Sequence, residues 1–472
     1  MKLFRASLLI AVLITFLSCS KDDKNTADGT TITASNFTIS VVENPQDGQV
    51  IGTIEASTNQ GSLNFTIAQE NPVGALKVGS TNGEVSVLDS SLFNYSNNPI
   101  ISATIKISNG STFKNINITI NLEPSIENIY EGSVTLKTQE EVNDFGANNY
   151  TQITGQLTIG HPEETGSTNI VDLSPLHSIG IVAALTIKNN TLLTTTEGLN
   201  LSTISVQLAV VNNPLLVHLK GFASMTYFNN IFIFDNEALS DLSEFSQITK
   251  IGYFSLIGCE SLPNIDWLQN LTALESGFDI SNCDSLISLD GLSNVTSFSG
   301  PLENRGIRIS NNLLLENLDG LQNLTTSLYN LDIFNNSSLQ NIEGLSNINV
   351  FQELTITENE SLQNLIGLGS ITKVNIHIEI KRNNSLTDLV GLENLETSPG
   401  IFTIDGNLNL NNLNGLEGLT HIYSLRIVNN TNLTDFCSLQ NLLTTDTNTG
   451  FYAFENAYNP TKQDIIDGNC SL

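Results

Sequence analysis

The side chains best suited to catalysis are scattered along this chain of 472 residues rather than grouped. The histidines do not form the His-Glu-x-x-His pattern that binds a catalytic zinc ion, and the sequence has neither a Gly-x-Ser-x-Gly nucleophile motif nor a glycine-rich phosphate loop. A carboxylate pair for glycoside hydrolysis stays open among the 48 Asp and Glu residues, yet repetitive chains rarely build the closed pocket that it needs. We therefore predict that the protein is not an enzyme and has no cofactor or metal ion. The histidines are His161, His177, His218, His377 and His421.

The N-terminal segment carries a pattern typical of export and lipid attachment. Lys2 and Arg5 precede an apolar run over 6–17 that is too short to span a bilayer, as in a signal peptide. The run ends in Phe-Leu-Ser-Cys, which resembles a lipobox with Cys19 as the lipidated first residue of the mature protein. An ordinary signal peptide cleaved elsewhere is the alternative. The four residues that follow resemble the acidic tag that sends lipoproteins of Bacteroidota to the outer face of the outer membrane; they are Ser20, Lys21, Asp22 and Asp23.

The export and lipidation signals divide residues 1–34 into two segments. We expect a lipoprotein signal peptide over 1–18 and a lipidated flexible tether over 19–34. The expected location is the cell outer membrane, with the protein facing the exterior and held by its lipid.

The four remaining cysteines favour disulfide chemistry, since an even number in an oxidising compartment is typical of bridged proteins. Cys437 and Cys470 lie on either side of the last repeat, where a disulfide would fasten the end of the repeat array. Cys259 and Cys283 occupy equivalent positions of consecutive repeats, so a bridge and two free thiols both stay open. No Cys-x-x-Cys or Cys/His spacing indicates zinc.

A six-residue phrase returns about every 23 or 24 residues through the C-terminal two-thirds of the chain. It reads Leu-Thr-Ile-Lys-Asn-Asn from Leu185 and Leu-Arg-Ile-Val-Asn-Asn from Leu425, with weaker copies at Leu157 and near Tyr452. A fixed period predicts a solenoid, in which neighbouring units must stack to bury their apolar faces. The alternation inside the phrase predicts one strand per coil, and a glycine in most return segments, such as Gly344, predicts a tight turn.

The sixth position of the phrase predicts an internal ladder. An inward asparagine both donates and accepts hydrogen bonds, so it can satisfy backbone groups that the corner leaves unpaired. Stacked in register, these residues would form a structural ladder along the solenoid. The ladder residues are Asn190, Asn213, Asn236, Cys259, Cys283, Asn312, Asn336, Asn359, Asn383, Asn407 and Asn430.

The repeats resemble leucine-rich repeats and, more closely, the receptor L-domain family of single-strand right-handed β-helices. The segment before the first coil strengthens this resemblance: a strand over 130–136, a short helix that Thr138 and Glu141 would begin as a capping box and that would end near Phe145, and a strand over 150–159. The resemblance implies an all-β solenoid of about 13 coils over 129–472, with an N-terminal cap at 129–156 and a C-terminal cap at 437–472. It does not identify a ligand.

Residues 35–123 predict a separate β-sandwich of seven short strands, at 37–42, 50–56, 63–68, 76–78, 85–88, 100–107 and 116–121. Motifs such as Val-Val-Glu-Asn at 41–44 and Leu-Phe-Asn-Tyr at 92–95 resemble a cadherin repeat. In that family carboxylates hold calcium. Here Glu43 matches, but Ser96 and the Ser-Asn-Gly at 108–110 replace acidic positions, so we expect a spacer with weak or no calcium affinity.

Net charge narrows the range of partners. A formal charge of −30 with only 18 basic residues argues against nucleic acid, whose phosphates need neutralising, and against anionic membrane surfaces except through the lipid. We expect a monomer.

The second and fourth residues of each phrase should point outward and stack into two columns. Two zones differ in character: an apolar aromatic cluster over three coils, and a charged stretch with an arginine between two acids. Exposed aromatic groups beside polar ones suit a sugar or a protein partner, although the same residues could serve strand formation or be covered by a neighbouring segment. The candidate binding residues are Val211, Phe232, Phe234, Ile257, Asp279, Arg308 and Asp332.

Two functions follow from this sequence. The first is a surface-anchored adhesion or recognition protein that binds an extracellular protein or glycan through the strand face. The alternative is an accessory lipoprotein that captures glycans or peptides for an outer-membrane nutrient-uptake system.

Overall fold

The computed structural model describes residues 29–95, 97–110, 112–124, 128–163, 166, 168–348 and 351–472. The predicted lipidation site Cys19 and the tag residues 20–23 lie outside these ranges. The chain is mostly β, in agreement with the predicted all-β class. It divides between residues 126 and 127 into two compact units, which we call the N-terminal unit and the solenoid unit.

The N-terminal unit consists of short strands in three sheets. The strands are β1 (Ile32–Ala34), β2 (Phe37–Val42), β3 (Val50–Thr53), β4 (Ala56–Thr58), β5 (Asn64–Asn71), β6 (Leu76–Val78), β7 (Glu84–Val87), β8 (Ile100–Asn109) and β9 (Thr112–Glu123). One 3-10 turn lies at Ser90–Leu92. The larger two sheets have the strand orders β2-β9-β8-β5 and β3-β7-β6, and β1 pairs with β4.

Alternating residues of the two larger sheets share one apolar core. Val85 and Val87 of the small sheet and Ile105 and Ile118 of the large sheet are almost completely buried in it. Such alternation is expected for two sheets that each bury one face.

Two details of the N-terminal unit differ from the prediction. The expected tether over 19–34 is wrong at its end, because Ile32–Ala34 forms a strand antiparallel to β4. The Thr31 N–H also donates to the Asn59 side chain at 2.7 Å. The single strand expected over 50–56 is split into β3 and β4, which pair with different partners.

The solenoid unit is one long sheet, in which each strand pairs in parallel with the strand of the next coil. Two short strands, β10 (Ile129–Tyr130) and β11 (Val134–Leu136), and helix α1 (Gln139–Gly146) precede the coils. The coil strands are β12 (Gln152–Gly160), β13 (Ile181–Lys188), β14 (Thr203–Val211), β15 (Tyr227–Phe234), β16 (Lys250–Ile257) with the short β17 (Ala273–Leu274) beside it, β18 (Phe278–Ser281), β19 (Gly306–Ser310), β20 (Asn330–Phe334), β21 (Phe351–Thr357), β22 (Val374–Lys381), β23 (Thr397–Asp405), β24 (His421–Val428) and β25 (Gly450–Phe454).

Each coil returns through an irregular segment that often contains one turn of 3-10 helix. Apolar residues of the strand and of the return segment meet in a single core that runs through all coils. The 3-10 turns lie at Ser174–Leu176, Ser243–Gln247, Asp266–Leu268, Asp290–Leu292, Leu302–Asn304, Asp319–Leu321, Glu343–Leu345 and Cys437–Leu439.

The asparagine ladder lies inside the solenoid, as the sequence predicted. Asn336 is fully buried; its side-chain amide donates to the Ile309 carbonyl at 2.9 Å, and its own backbone N–H donates to the Asn359 side-chain oxygen at 3.0 Å. The same contacts repeat from coil to coil, and they continue past Asn430 to Asn456 of the last coil.

Sulfur replaces the amide in two consecutive coils. The thiols of Cys259 and Cys283 are free and fully buried. Each points at strand carbonyl oxygens at 3.6–3.9 Å, so each takes the donor part of the asparagine role. The hydrogen bond with the neighbouring Cys283 and, after it, burial raise the pKa of the Cys259 thiol, which therefore stays protonated.

The residue before each ladder position adopts left-handed backbone geometry, a feature that we did not predict. Asn189 and Asn335, for example, have φ of 57° and 53°. Asparagine tolerates this region better than most residues, which explains why several copies of the phrase, such as those that begin at Leu185 and Leu331, end in two asparagines. The pair of adjacent asparagines in the sequence could have indicated this left-handed geometry.

The return-segment glycines all permit close contact between coils, and five of them also have the positive φ expected for a turn; these are Gly198, Gly221, Gly367, Gly391 and Gly415. A Cβ on Gly344, whose φ is not positive, would overlap the carbonyl oxygen of Leu318 in the preceding coil. The turn that we expected there is therefore not the reason for glycine at this position.

Both ends of the solenoid unit carry helices. Thr138 caps the N-terminus of helix α1, and its side chain accepts from the Glu141 N–H at 3.2 Å. The expected capping box is only half present, because the Glu141 carboxylate accepts from the Lys137 N–H instead. At the other end, helices α2 (Gln440–Thr445) and α3 (Lys462–Ile466) flank β25. The predicted disulfide between Cys437 and Cys470 is present.

Candidate binding face

The strand register brings the predicted apolar cluster together on the outer side of the sheet, which we call the strand face. Val211 of β14, Phe234 of β15 and Ile257 of β16 are direct neighbours across three strands. Phe232 lies two residues before Phe234, and the two rings are 5.8 Å apart between centroids. The side chains therefore form one contiguous patch.

The patch is less exposed than we expected. Its four apolar residues are half-buried rather than open to solvent. Tyr253, which the sequence analysis did not include, lies beside them with its ring centroid 6.0 Å from that of Phe232. Tyr253 lies one residue before the six-residue phrase of its coil, and side chains at that strand position also face outward.

Several other outward positions are buried, which corrects the expectation of two open columns. The strands of a sheet lie about 4.8 Å apart, so a small side chain between larger neighbours is covered by them. Ser310, for instance, pairs in register with Phe334 and is 1% exposed. The outward residues that are buried in this way are Thr186, Ala209, Ser255, Ser281, Ser310, Thr357, Thr403 and Val428.

The charged zone follows directly after the aromatic patch. Asp279, Arg308 and Asp332 are register neighbours on β18, β19 and β20. The Arg308 guanidinium Nε lies 3.7 Å from a carboxylate oxygen of Asp332. Burial raises the pKa of both aspartates, and the nearby Arg308 partly opposes this rise. Asp279 also accepts a hydrogen bond from Ser281.

The strand face has a gap next to these charges. Gly306 precedes Arg308 by two residues, and a Cβ built on it would meet no atom within 4 Å. Its register neighbour Asn330 has a buried side-chain oxygen that finds no donor among the residues that the structure describes. The zone therefore combines an open floor with an exposed guanidinium, whereas the Asn330 oxygen is not part of its accessible surface.

A second aromatic patch lies at the C-terminal end of the strand face. Tyr423, Tyr452 and Phe454 are 68%, 58% and 40% exposed, and the Arg426 guanidinium stands over the Phe454 ring at 5.0 Å. This patch was not predicted, because the last copy of the phrase was only loosely placed. The signal was Phe-Tyr-Ala-Phe-Glu-Asn over 451–456, which ends in a ladder asparagine.

Other kinds of site find little support. Within the described ranges, no group of three or more His, Cys, Asp or Glu residues is arranged to hold a metal ion. The Glu43 carboxylate, the one match to a calcium ligand, accepts from the Tyr95 N–H at 2.8 Å. Among the residues that the structure describes, no helix is both long and apolar enough to cross a membrane.

Comparisons with known proteins give few matches to this chain. No family model matches the sequence, and no curated protein does. Among solved structures, cadherin domains 3–6 of protocadherin gamma B2 match at 10% identity over 20% of this chain and 22% of that chain, with a TM-score of 0.18.

Two further solved structures are similar to the same small extent. The third cadherin domain of human protocadherin 7 matches at 16% identity over 22% of this chain and 95% of that chain, with a TM-score of 0.19. Mouse cadherin-23 domains 22–24 match at 15% identity over 23% of this chain and 38% of that chain, with a TM-score of 0.18. These similarities are too weak to assign a fold family or a function.

Proposed function

We propose that the protein is a surface-anchored recognition protein that binds an extracellular protein or glycan through the strand face of the solenoid unit. The observation that carries this proposal is the contiguous patch of Phe232, Phe234 and Tyr253 beside the charged zone around Arg308. Aromatic and arginine side chains that meet at one surface are typical of binding hot spots.

The two zones would contribute differently to binding. A partner that covers a large apolar side chain gains about 1.5–3 kcal/mol for complete burial, and roughly half of that for a ring that is already half-buried. Arg308 offers planar donors in an otherwise acidic protein, and it would fix the orientation of a partner's carboxylate or hydroxyl groups. The aromatic zone would then supply affinity and the charged zone specificity.

The remaining parts would present this face to the surroundings. On this proposal Cys19 carries the lipid, residues 20–23 direct the protein to the outer surface of the outer membrane, and the N-terminal unit is a cadherin-like spacer. The solenoid unit would be a receptor L-domain-like β-helix that acts as a monomer. The spacing of the phrase, the ladder and the export-like N-terminus support these assignments.

A binding screen with paired variants tests the proposal. The purified protein is applied to arrays of glycans and of extracellular proteins, and each hit is measured again with Phe232→Ser/Phe234→Ser. Because each ring would contribute about 1 kcal/mol or more, we expect affinity to fall by a factor of about ten or more.

The matched control is Tyr452→Ser/Phe454→Ser, which removes two aromatic rings from the other end of the same face. It should leave affinity within about twofold, as surface changes away from a site usually do. If the control abolishes binding and the first variant does not, the site lies at the C-terminal patch and the assignment to β15 is wrong.

Membrane fractionation tests the anchor. Cys19→Ala should release the protein from membranes, while replacement of Asp22 and Asp23 should leave it lipidated but protected from protease added to intact cells. A wild-type protein that resists the protease on intact cells would contradict the surface location.

A further inference from the structure

The last coil of the solenoid unit is closed at its corner and on its return side, but its strand is open. At the corner the Asn456 N–H donates to the Asn459 side-chain oxygen at 2.9 Å, which ends the ladder. On the return side the disulfide between Cys437 and Cys470 ties the last turn to the C-terminal tail. Strand β25 pairs with β24 on one edge, and no strand that the structure describes pairs with its other edge.

The free edge of β25 presents unpaired backbone groups. The Asn429 N–H, directly after β24, donates to the Phe454 carbonyl at 3.3 Å. Because successive residues of a strand direct their backbone groups to alternate sides, Phe451 and Ala453 direct theirs away from β24, where they bond to no residue that the structure describes. Their side chains are half-buried, whereas Leu425, the register partner of Phe451, is fully buried. A strand laid along this edge would therefore gain hydrogen bonds and cover the end of the core.

This edge lacks the features that usually block pairing with another chain. Proteins protect free edges with charged residues, proline or very short strands. The sequence Gly-Phe-Tyr-Ala-Phe of β25 has neither a charge nor a proline. At the opposite end of the sheet β10 and β11 have only two and three residues, and the charged Glu131 lies between them. The C-terminal edge is thus the one that can accept a further strand.

The sequence of β25 is complementary to itself when two copies run antiparallel about Tyr452. On the inner side Phe451 of one copy would lie opposite Ala453 of the other, and on the outer side Phe454 would lie opposite Gly450. Each large side chain would therefore meet a small residue across the pair. Only Tyr452 would meet its own equivalent, and two aromatic side chains directly opposite each other are favourable.

The same alignment satisfies the free backbone groups. Residues directly opposite each other in an antiparallel pair exchange both hydrogen bonds at every second position. With Tyr452 at the centre, those positions are Phe451 and Ala453, the two residues whose groups are unpaired. The strand carries no charge, so two chains of net charge −30 would meet there without opposing like charges. We propose that the free edge of β25 pairs antiparallel with β25 of a second copy, with Tyr452 on the twofold axis.

The small size of this interface sets its strength. Each copy contributes the five residues of β25, against about 20–30 residues a side in a stable interface. Dilute copies therefore stay monomeric, as expected from the sequence, and pairing needs a high local concentration. Copies held on one surface by the proposed lipid anchor would reach such a concentration. The pairing does not depend on the ligand site proposed at Phe232 and Phe234, which lie on β15 toward the other end of the sheet.

Engineered cysteines test the alignment. The purified full-length protein with Tyr452→Cys is concentrated, treated with a mild oxidant and run on a non-reducing gel. Facing residues of this kind have Cα atoms about 4.5 Å apart, which is within disulfide range, so a covalent dimer should form. The wild type gives the background, because its free thiols Cys259 and Cys283 are fully buried.

Phe454→Cys is the matched control for the register. The two copies of residue 454 would be four strand positions apart, or about 13 Å, so this variant should not cross-link to itself. Mixed with Gly450→Cys it should form the dimer, since these two residues face each other in the proposed alignment. A Cβ at Gly450 meets only ordinary contacts, at 3.4 Å or more, so this variant should fold.

Sedimentation equilibrium measures the reversible pairing without a cross-link. The wild type should pass from monomer to dimer as its concentration rises. Tyr452→Asp would set two carboxylates opposite each other and should raise the dissociation constant by about tenfold or more. Tyr423→Asp adds the same charge at a more exposed tyrosine of β24 and should leave the constant within about twofold.

The proposal is overturned if Tyr452→Cys forms no more covalent dimer than the wild type, which would leave the edge to an extended segment of a different protein. It is also overturned if Phe454→Cys alone cross-links as readily as Tyr452→Cys, because the two copies would then not be aligned about Tyr452. Equal dissociation constants for Tyr452→Asp and Tyr423→Asp, both folded by their thermal unfolding curves, would likewise contradict it.

Discussion

Replacement of Asn336 by leucine is the sharpest test of the ladder, because this side chain makes contacts on both sides of its coil. It donates to the Ile309 carbonyl of the preceding coil at 2.9 Å and to the Asn359 side-chain oxygen of the following coil at 3.2 Å, and its own oxygen accepts from the backbone N–H of Asn312 at 3.1 Å. Leucine has a similar volume but can make none of these bonds. The substitution would therefore leave buried polar groups of two neighbouring coils without these partners.

The expected loss follows from the number of groups affected. A buried backbone group that loses its partner costs about 1–3 kcal/mol, so two such groups predict a loss of about 2–6 kcal/mol in the free energy of unfolding. This is a large part of the 5–15 kcal/mol that stabilises a typical domain. Equilibrium urea unfolding followed by circular dichroism measures it as a lower transition midpoint.

Two matched variants make the result specific. Asn336→Cys should cost less than Asn336→Leu, because a thiol already fills the same place at Cys259 and Cys283. Thr355→Ser, on the outer side of β21, should stay within about 0.5 kcal/mol. Equal losses for Asn336→Leu and Thr355→Ser would refute the inward role of the ladder.

Three further predictions concern packing, the C-terminal cap and pH. Gly344→Ala should lower the free energy of unfolding by about 1–3 kcal/mol, since its Cβ would overlap the Leu318 carbonyl. Gly306→Ala should be tolerated, because nothing lies near its Cβ. Equal melting temperatures for the two variants would contradict this. Cys437→Ser/Cys470→Ser should cost about 3–4 kcal/mol in calorimetry, because the bond closes a loop with a sequence separation of 33; an unchanged unfolding temperature would show that the cap is held without it. Burial raises the pKa of Asp279 in the folded protein, so the stability linked to its neutral form is lost as pH rises through that pKa. The stability of Asp279→Asn relative to the wild type should therefore increase from acid to neutral pH in parallel urea titrations. A difference that stays constant with pH would refute the burial argument.

The sequence predicted those features that depend on period alone. One strand per coil, the inward place of Asn336 and the neighbouring places of Phe232 and Phe234 all follow from a repeat that brings equivalent residues together. The bond between Cys437 and Cys470 followed from their places around the last coil.

Features that depend on how tightly coils pack were not predictable in the same way. The burial of Ser310 depends on the size of its register neighbours, and the role of Gly344 depends on the distance to a carbonyl oxygen in another coil.

Oxidative footprinting of aromatic side chains, with and without a partner found in the array screen, tests the central claim most directly. A partner bound to the strand face should protect Phe232, Phe234 and Tyr253, while Phe113 of the N-terminal unit, which is 58% exposed, should react as in the free protein. Protection of Phe113 with no change at the three strand-face rings would place the partner on the N-terminal unit and contradict the account.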